Sequence, residues 1–482
     1  MRIASIISEY NPFHEGHKYH MENTKKITNS DYTIVIMSGD FTQRGTPAII
    51  DKYARTKQAL CNGADLVLEL PVFFSTASAE GFAFGAVSIL EKLGVVNSLV
   101  FGSECGDIDS IKLVADFLSN EPPEYKERLQ FFLKQGLSYP KARSNALHDL
   151  FCDLDKDFLA SSNNILGIEY CRALKYFNSS ITPVTITRKD NLYNDEELSA
   201  TGKLSSATAI RKVLLRDNAY VKQHIYEKTC KETNRLSNKV SSPYEPSVLG
   251  IPKVFDTLST HMPESSLDIL KENWEICTPV STGDFSLLLK YKLLTESRDS
   301  LVQYLDVTSD LADRIYNLLN LYKDFDSFCD LLKTKELTYT RIARSLLHIL
   351  LDIKKIDYES ISKRNINKET TIYSTANYDA KTSEDSESNV WEQNIKNTAT
   401  CYGQYARILG FRKEVSPLLH EIKKHSSIPL ISKLSDSVRE LDGTALTMLE
   451  KDIQAAHIYE SVVADKFGCD FRNEFQRRLV IV

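Results

Sequence analysis

Glu9-Tyr-Asn-Pro-Phe-His14-Glu-Gly16-His17-Lys-Tyr-His20 follows directly on the apolar run Arg2-Ile-Ala-Ser-Ile-Ile-Ser8 and opens a stretch with helical periodicity. A strand that feeds a turn and then a helix start leaves unpaired N–H groups and the positive end of the helix dipole at that turn. Gly16 lets an anion approach the backbone. His14 and His17 are three residues apart, so both imidazoles project from one side of the turn toward the same oxygens. Hydrogen bonds from imidazole to phosphoryl oxygens strengthen as negative charge builds during in-line displacement. The segment therefore reads as a phosphate site with His14 and His17 as catalytic candidates. A surface loop with chance histidines is the plainer alternative, and the strand-turn-helix context speaks against it. A zinc site on His14, His17 and His20 lacks a nearby cysteine or a suitably spaced fourth ligand, so no metal site is expected.

Outward from this segment, three further apolar runs, YTIVIMS, LVLELP and SLVFGS, are separated by amphipathic stretches. That alternation predicts a parallel sheet with crossover helices. Gly63 and Gly94 sit where two of those helices should end in a left-handed residue. Asp51 opens the first of the two as a helix-dipole partner. Beyond Asp107 the pattern is helical until one more strand, TPVTITRK, leads toward SSATAIRKVLL. An α/β domain carrying the phosphate site is expected over residues 1–220. The prolines and serines of VSSPYEPSVLGIPKV read as a linker into a mainly helical region spanning 221–482. Within it TYTRIARSLLHILLDIKK is a long amphipathic helix. The polar, acidic stretch 367–400 reads as a flexible insert. SIPLISK and the terminal RRLVIV complete a small mixed α/β part.

At 482 residues with 42% hydrophobic side chains, the chain can build two or three cores. Nine scattered cysteines without a CxxC pair fit neither a disulfide framework nor a zinc ribbon, and a reducing cytoplasm is expected. No apolar stretch reaches the length of a membrane span, and no membrane partner is expected. A net charge of -6 excludes a chain that coats nucleic acid over its whole surface but leaves room for a local basic face.

A second constellation is Ser205-Ser206-Ala-Thr208-Ala-Ile-Arg211, hydroxyls before a helix and a guanidinium one turn in. A plain capped helix explains the hydroxyls. Paired with the histidine segment, the phosphate clamp becomes the better reading, because arginine recognises oxygens bidentately and Arg211 joins the catalytic candidates.

HxGH with an SS-x-T-x-IR element resembles the HIGH-type nucleotidyltransferase superfamily. The set EYNPFHEGHKYH, MSGDFTQRGTPAIIDKYAR, VFGSE, NNILGIEY and LSSATAIR resembles the tRNA-Met cytidine acetate ligase family, and the likeness runs through TYTRIARSLLHILL to the carboxyl terminus. The resemblance implies a Rossmann-like, HUP-type parallel-sheet domain followed by the helical region and the small α/β part. It implies a reaction in which acetate and ATP give acetyladenylate, whose acetyl group passes to N4 of the wobble cytidine of elongator tRNA(Met). Mg²⁺ is expected with the ATP. The family's ATP contacts fall on Ile7, Ser8, Glu9, Tyr10, Asn11, Pro12, Phe13, His14, Glu15, Gly16, His17, Lys18, Tyr19 and His20, and on Gly102, Asn163 and Arg188, beside the Ser205 and Ser206 clamp. By themselves Gly102 reads equally as a tight turn, Asn163 as a helix cap and Arg188 as a partner for a surface acid. Asp40, Gln43 and Arg44 follow the second strand and shape an acetate or cytidine pocket, or else a loop whose polar groups bond one another. For tRNA, Arg341 and Arg344 lie on the long helix with Lys333, Lys335, Lys354 and Lys355 around them, and Arg407, Arg412 and Lys413 recur in YARILGFRKE. A basic helix face there would track phosphates; a solvated face is the plainer reading. Two other functions stand beside the ligase: adenylylation of a small phosphorylated metabolite, which would leave the last 260 or so residues without a purpose, and a noncatalytic RNA-binding platform.

Overall fold

The computed structural model describes residues 1–137, 139–151, 158–159, 161–188, 198, 205–216, 254–355, 357 and 402–482. The expected boundary near residue 220 and the acidic insert over 367–400 lie outside them.

The opening strand-helix alternation takes the expected form. Strand β1 (Ile3–Ser8) leads into helix α1 (Glu15–Thr28), β2 (Tyr32–Ser38) into α2 (Lys52–Cys61), and β3 (Leu66–Leu70) into α3 (Ala79–Leu93). Then come β4 (Ser98–Ser103), α4 (Ser162–Tyr176) and β5 (Thr182–Thr187). Strands β2 and β3 are buried almost throughout, as unbroken apolar runs covered on both faces should be. Helix α3 ends where Gly94 takes φ 69°, the left-handed residue read from the sequence. No described helix is long and apolar enough to cross a membrane.

Beyond residue 253 the described helices include α5 (Glu264–Glu272), α6 (Ser286–Thr295) and α7 (Tyr339–Leu350). The chain then returns to the sheet through β6 (Ala406–Phe411) and β7 (Leu430–Ile431), crosses it with α8 (Gly443–Phe467), and adds β8 (Val480–Ile481). The described strands form one sheet in the order β5-β4-β1-β2-β3-β6-β7, with β8 on β6. β1 to β5 are mutually parallel, and β6 runs antiparallel to β3. A continuous apolar core joins Ile36 and Leu68 of the sheet to Leu346 of α7 and Val463 of α8.

Two consequences position the site. The chain steps outward through β1, β2 and β3 and then returns to place β4 on the other side of β1. Such a switch point, at the carboxyl ends of parallel strands, is where open α/β sheets bind ligands. The second is a correction. YARILGFRKE, read as a source of exposed basic residues, contains β6, and Arg407 is buried at 3% exposure. Its guanidinium lies 2.8 Å from Glu69 and 2.6 Å from Glu474. A charge so placed is held by its partners and reaches no phosphate.

Candidate active site

Two histidines build the helix start between them. His14 is the N-cap of α1, and its Nδ1 accepts from the Gly16 N–H at 3.0 Å. His17 reaches back so that its Nδ1 accepts from the His14 N–H at 3.3 Å. The rings stack with centroids 3.8 Å apart, and Tyr10 packs edge-on against His17 at 4.9 Å. Because both Nδ1 atoms are occupied as acceptors, the neutral rings carry their protons on Nε2. Burial keeps them neutral, aided for His14 by Arg188 and Arg211, which together hold its pKa down to about 3. His17 is pushed down by burial, then by His14 and Arg188. His20, lowered to about 4 by burial and Arg188, bonds the Phe101 backbone and has a buried Nε2 with no partner among the described residues. The result is a pair of neutral N–H donors, on His14 and His17, beside two guanidiniums.

These groups line a cleft with a volume of about 190 Å³ above β1 and β4. It gathers most of the sequence-predicted residues: Ile7, Ser8, Glu9, Tyr10, Asn11, His14, Gly16, His17, Tyr19 and His20 from the first segment, with Gly102, Asn163, Arg188, Ser206 and Arg211. Gln43 and Arg44 line it as well. Arg211 is fixed by NH1 to the Asn11 carbonyl at 2.7 Å and by NH2 to Thr208 at 3.1 Å, so the two motifs distant in sequence are bonded to each other. Asn163 lines the cleft from within the first turn of α4, whose N-cap is Ser161. Its Nδ2 donates to Glu104 at 2.7 Å, and the same carboxylate accepts the Asn164 N–H at 3.0 Å.

Other predicted residues stand behind the lining. Phe13 is fully buried beneath the stacked imidazoles, 5.5 Å from His17, and Pro12 follows a cis peptide. The Glu15 N–H donates to the His261 carbonyl at 3.0 Å, and the Lys18 N–H closes the first turn on the His14 carbonyl. Ser205 meets the His261 ring at 3.0 Å, so His261 ties the starts of both phosphate-site helices together. Asp40 accepts the Lys52 N–H at 2.8 Å and lies 3.8 Å from both Lys52 Nζ and Arg55. It braces the loop from beneath. Arg341 and Arg344 on α7 also lie outside the cleft lining, but α7 abuts it: Gly45, at φ 76°, presses so closely on the backbone of Ala343 and Arg344 that a Cβ there would collide. Arg344 Nε pairs with Asp306 at 3.1 Å.

Sequence reading passed over several contributors. Phe82, Phe101 and Tyr170 line the cleft, yet aromatics at helical or strand spacing are indistinguishable from core. Arg55, wholly buried, donates to the carbonyls of Glu9, Ser38 and Ile50 at 2.8, 3.0 and 3.0 Å and thereby fixes the carboxyl ends of β1 and β2. Its only signal was an arginine one turn inside α2.

The chain matches the HIGH Nucleotidyl Transferase family over residues 1–375 and 387–472. It is 38% identical over 468 residues to the tRNA(Met) cytidine acetate ligase of Clostridium perfringens, with 95% of each chain covered. The Acetivibrio thermocellus protein of that name is 35% identical with both chains covered completely. The chain belongs to the tRNA(Met) cytidine acetate ligase family. Solved structures of Thermotoga maritima TmcAL, one bound with alpha-thio ATP and one apo, superpose at TM-scores of 0.75 and 0.78 with 29% and 28% identity over all of both chains.

Proposed function

We propose that the chain is an ATP-dependent ligase, forming AMP and pyrophosphate, that activates acetate as acetyladenylate and passes the acetyl group to N4 of the wobble cytidine of elongator tRNA(Met). The observation that carries this reading is the pair of outward N–H groups on His14 and His17, set with Arg188 and Arg211 at the sheet's switch point.

In the first step an acetate oxygen attacks the α-phosphorus, the new P–O bond forms, and the bond to pyrophosphate breaks. Charge then accumulates on phosphoryl oxygens, where preorganised neutral donors and fixed cations stabilise the transition state more than the ground state. Ile7 to His20, Gly102, Asn163, Arg188 and the Ser206 to Arg211 segment hold the nucleotide. Pro12, Phe13, Ser205 and His261 serve it from behind the lining. Gln43 and Arg44 face the acetate and cytidine, with Asp40 fixing their loop. Arg341 and Arg344 meet tRNA beside that loop, supported by the packing of α7 against Gly45. Mg²⁺ enters on the phosphates of ATP. Among the described residues no group of three or more His, Cys, Asp or Glu is assembled to hold a metal. The setting is the cytoplasm, where the described cysteines are unbridged thiols.

Mass spectrometry of nucleosides from tRNA incubated with the protein, ATP and acetate tests the reading. N4-acetylcytidine is expected, dependent on both small substrates; its absence with active wild-type protein and elongator tRNA(Met) overturns the proposal.

A further inference from the structure

The cleft has two sides about β1, and only one of them is suited to the nucleotide. Gly102 lies next to the last residue of β4, Arg188 follows β5 and Asn163 sits in the first turn of α4, all on the switch-point side. On the other side, at the end of β2, the wall consists of Thr42, Gln43, Arg44 and Thr46. Glu9 sits between the two sides at the end of β1. Its Oε1 accepts the Gln43 N–H at 2.8 Å, and Arg55 NH1 holds its main-chain carbonyl at 2.8 Å. No described residue bonds the second carboxylate oxygen. Tyr170 lines the same cleft as Glu9, and its phenol is pushed up first by burial and then by the Glu9 charge.

We infer that Glu9 is the general base of the acetyl-transfer step, taking the proton from the attacking exocyclic amine. The assignment rests on the proposed function. Among the described residues that line the cleft, Glu9 is the single carboxylate. His14 and His17 present N–H groups and have spent their acceptor nitrogens on the backbone, Arg188 and Arg211 have no acceptor to offer, and His20, whose Nε2 is open, lies by Phe101 and Arg188 on the nucleotide side. An amine conjugated to a pyrimidine ring is a poor nucleophile until it can shed a proton as the bond forms. In the step, the C–N bond forms at the acetyl carbonyl, the acyl C–O bond breaks with its electron pair leaving on AMP, and one N4 proton passes to the Glu9 carboxylate. A carboxylate anchored at its backbone and at one oxygen is fixed for that transfer.

The test is single-turnover transfer from saturating preformed acetyladenylate to tRNA across pH, which bypasses acetate activation. In the wild type the rate should rise with pH with a log-log slope of one and then level off. Glu9→Gln retains an oxygen for the Gln43 N–H, so the loop stays placed, yet its rate should fall by at least about 100-fold and lose the pH slope. Glu9→Asp should keep the slope at a reduced rate. The assignment is overturned if Glu9→Gln transfers with the wild-type rate or profile. It is equally overturned if Glu9→Gln is near wild type and only Glu9→Ala is impaired, because Glu9 would then merely hold the loop. A wild-type protein that transfers no acetyl group at all would sink the proposed function first, and this assignment with it.

Discussion

At the scale of single residues, the two histidines do unlike work with one side chain each, Nδ1 closing the helix and Nε2 facing the cleft. Replacing His17 with Ala should therefore cost about 1 kcal/mol of stability, for the lost acceptor of the His14 N–H. Pyrophosphate release with acetate and saturating ATP should fall by at least about 100-fold, the scale of one oxyanion donor. Near-normal release in a folded variant would remove His17 from the chemistry. Neutrality also has a price in acid. His14 titrates near 6.5 when unfolded and near 3 when folded. Between those values the unfolded chain binds a proton that the folded chain refuses, so stability is greatest above pH 6.5 and declines as pH falls toward 3. From pH 7 to 5 the loss amounts to about 2 kcal/mol for such a group. His14→Asn keeps a good N-cap and removes the titration. Denaturant unfolding at the two pH values should show that variant less acid-sensitive by about that amount, and equal losses in both proteins would contradict the neutral, buried imidazole.

At the scale of elements, helix starts carry the site, and each is held by a side chain from elsewhere. Glu104, two residues past Gly102, caps α4 and pins Asn163. Glu104→Ala should cost about 1–2 kcal/mol in unfolding free energy. It should also raise the KM for ATP by about tenfold while the KM for tRNA stays put, a contrast measurable by steady-state kinetics and absent if Glu104 only caps. Helix α7 poses the opposite question. Arg344→Ala leaves the largely buried Asp306, whose carboxyl Arg344 and His348 hold below the usual range, without its nearest cation. Arg341→Ala is thus the cleaner probe. If Arg341 contacts a duplex-like phosphate, the slope of log affinity for tRNA against log salt should shrink by about one unit. An unchanged slope in filter binding would return this face to solvent.

At the scale of the whole molecule, the catalytic sheet is completed by residues more than 300 positions away. Lys52 on α2 lies 2.8 Å from Glu69 and 2.6 Å from Glu474, and Arg407 on β6 contacts the same two carboxylates, all four side chains nearly inaccessible. Burial alone would raise the Glu474 carboxyl, but the two cations reverse that and hold it well below the carboxylate range. Removing one member of such a set strands the others without solvent. Arg407→Met should lower the unfolding free energy by about 3–5 kcal/mol in urea at neutral pH. A loss below 1 kcal/mol would mean the carboxylates are solvated or protonated instead. Because Lys52 also donates its backbone N–H to Asp40, the same lesion should loosen the loop that carries Gln43 and Arg44.

Periodicity in the chain determined the five parallel strands, the helices ending at Gly63 and Gly94, and the strand-turn-helix around His14. Those signals are local: alternation of buried faces, a left-handed glycine, unpaired amides at a helix start. The same local logic could give Arg188, Asn163 and Asp40 only a choice of readings, since an Asn before a helix caps it whether or not a ligand lies beyond. Tertiary structure decided those cases by bringing partners together across the chain: Glu104 to Asn163, Asn11 to Arg211, Gln43 to Glu9. It also decided against an exposed Arg407, which sequence alone made look like part of a basic surface. Charge is written in the sequence, but whether a charge meets water, a carboxylate or a phosphate depends on which strand lies next to it, and β6 lies next to β3 only because the folded sheet puts it there.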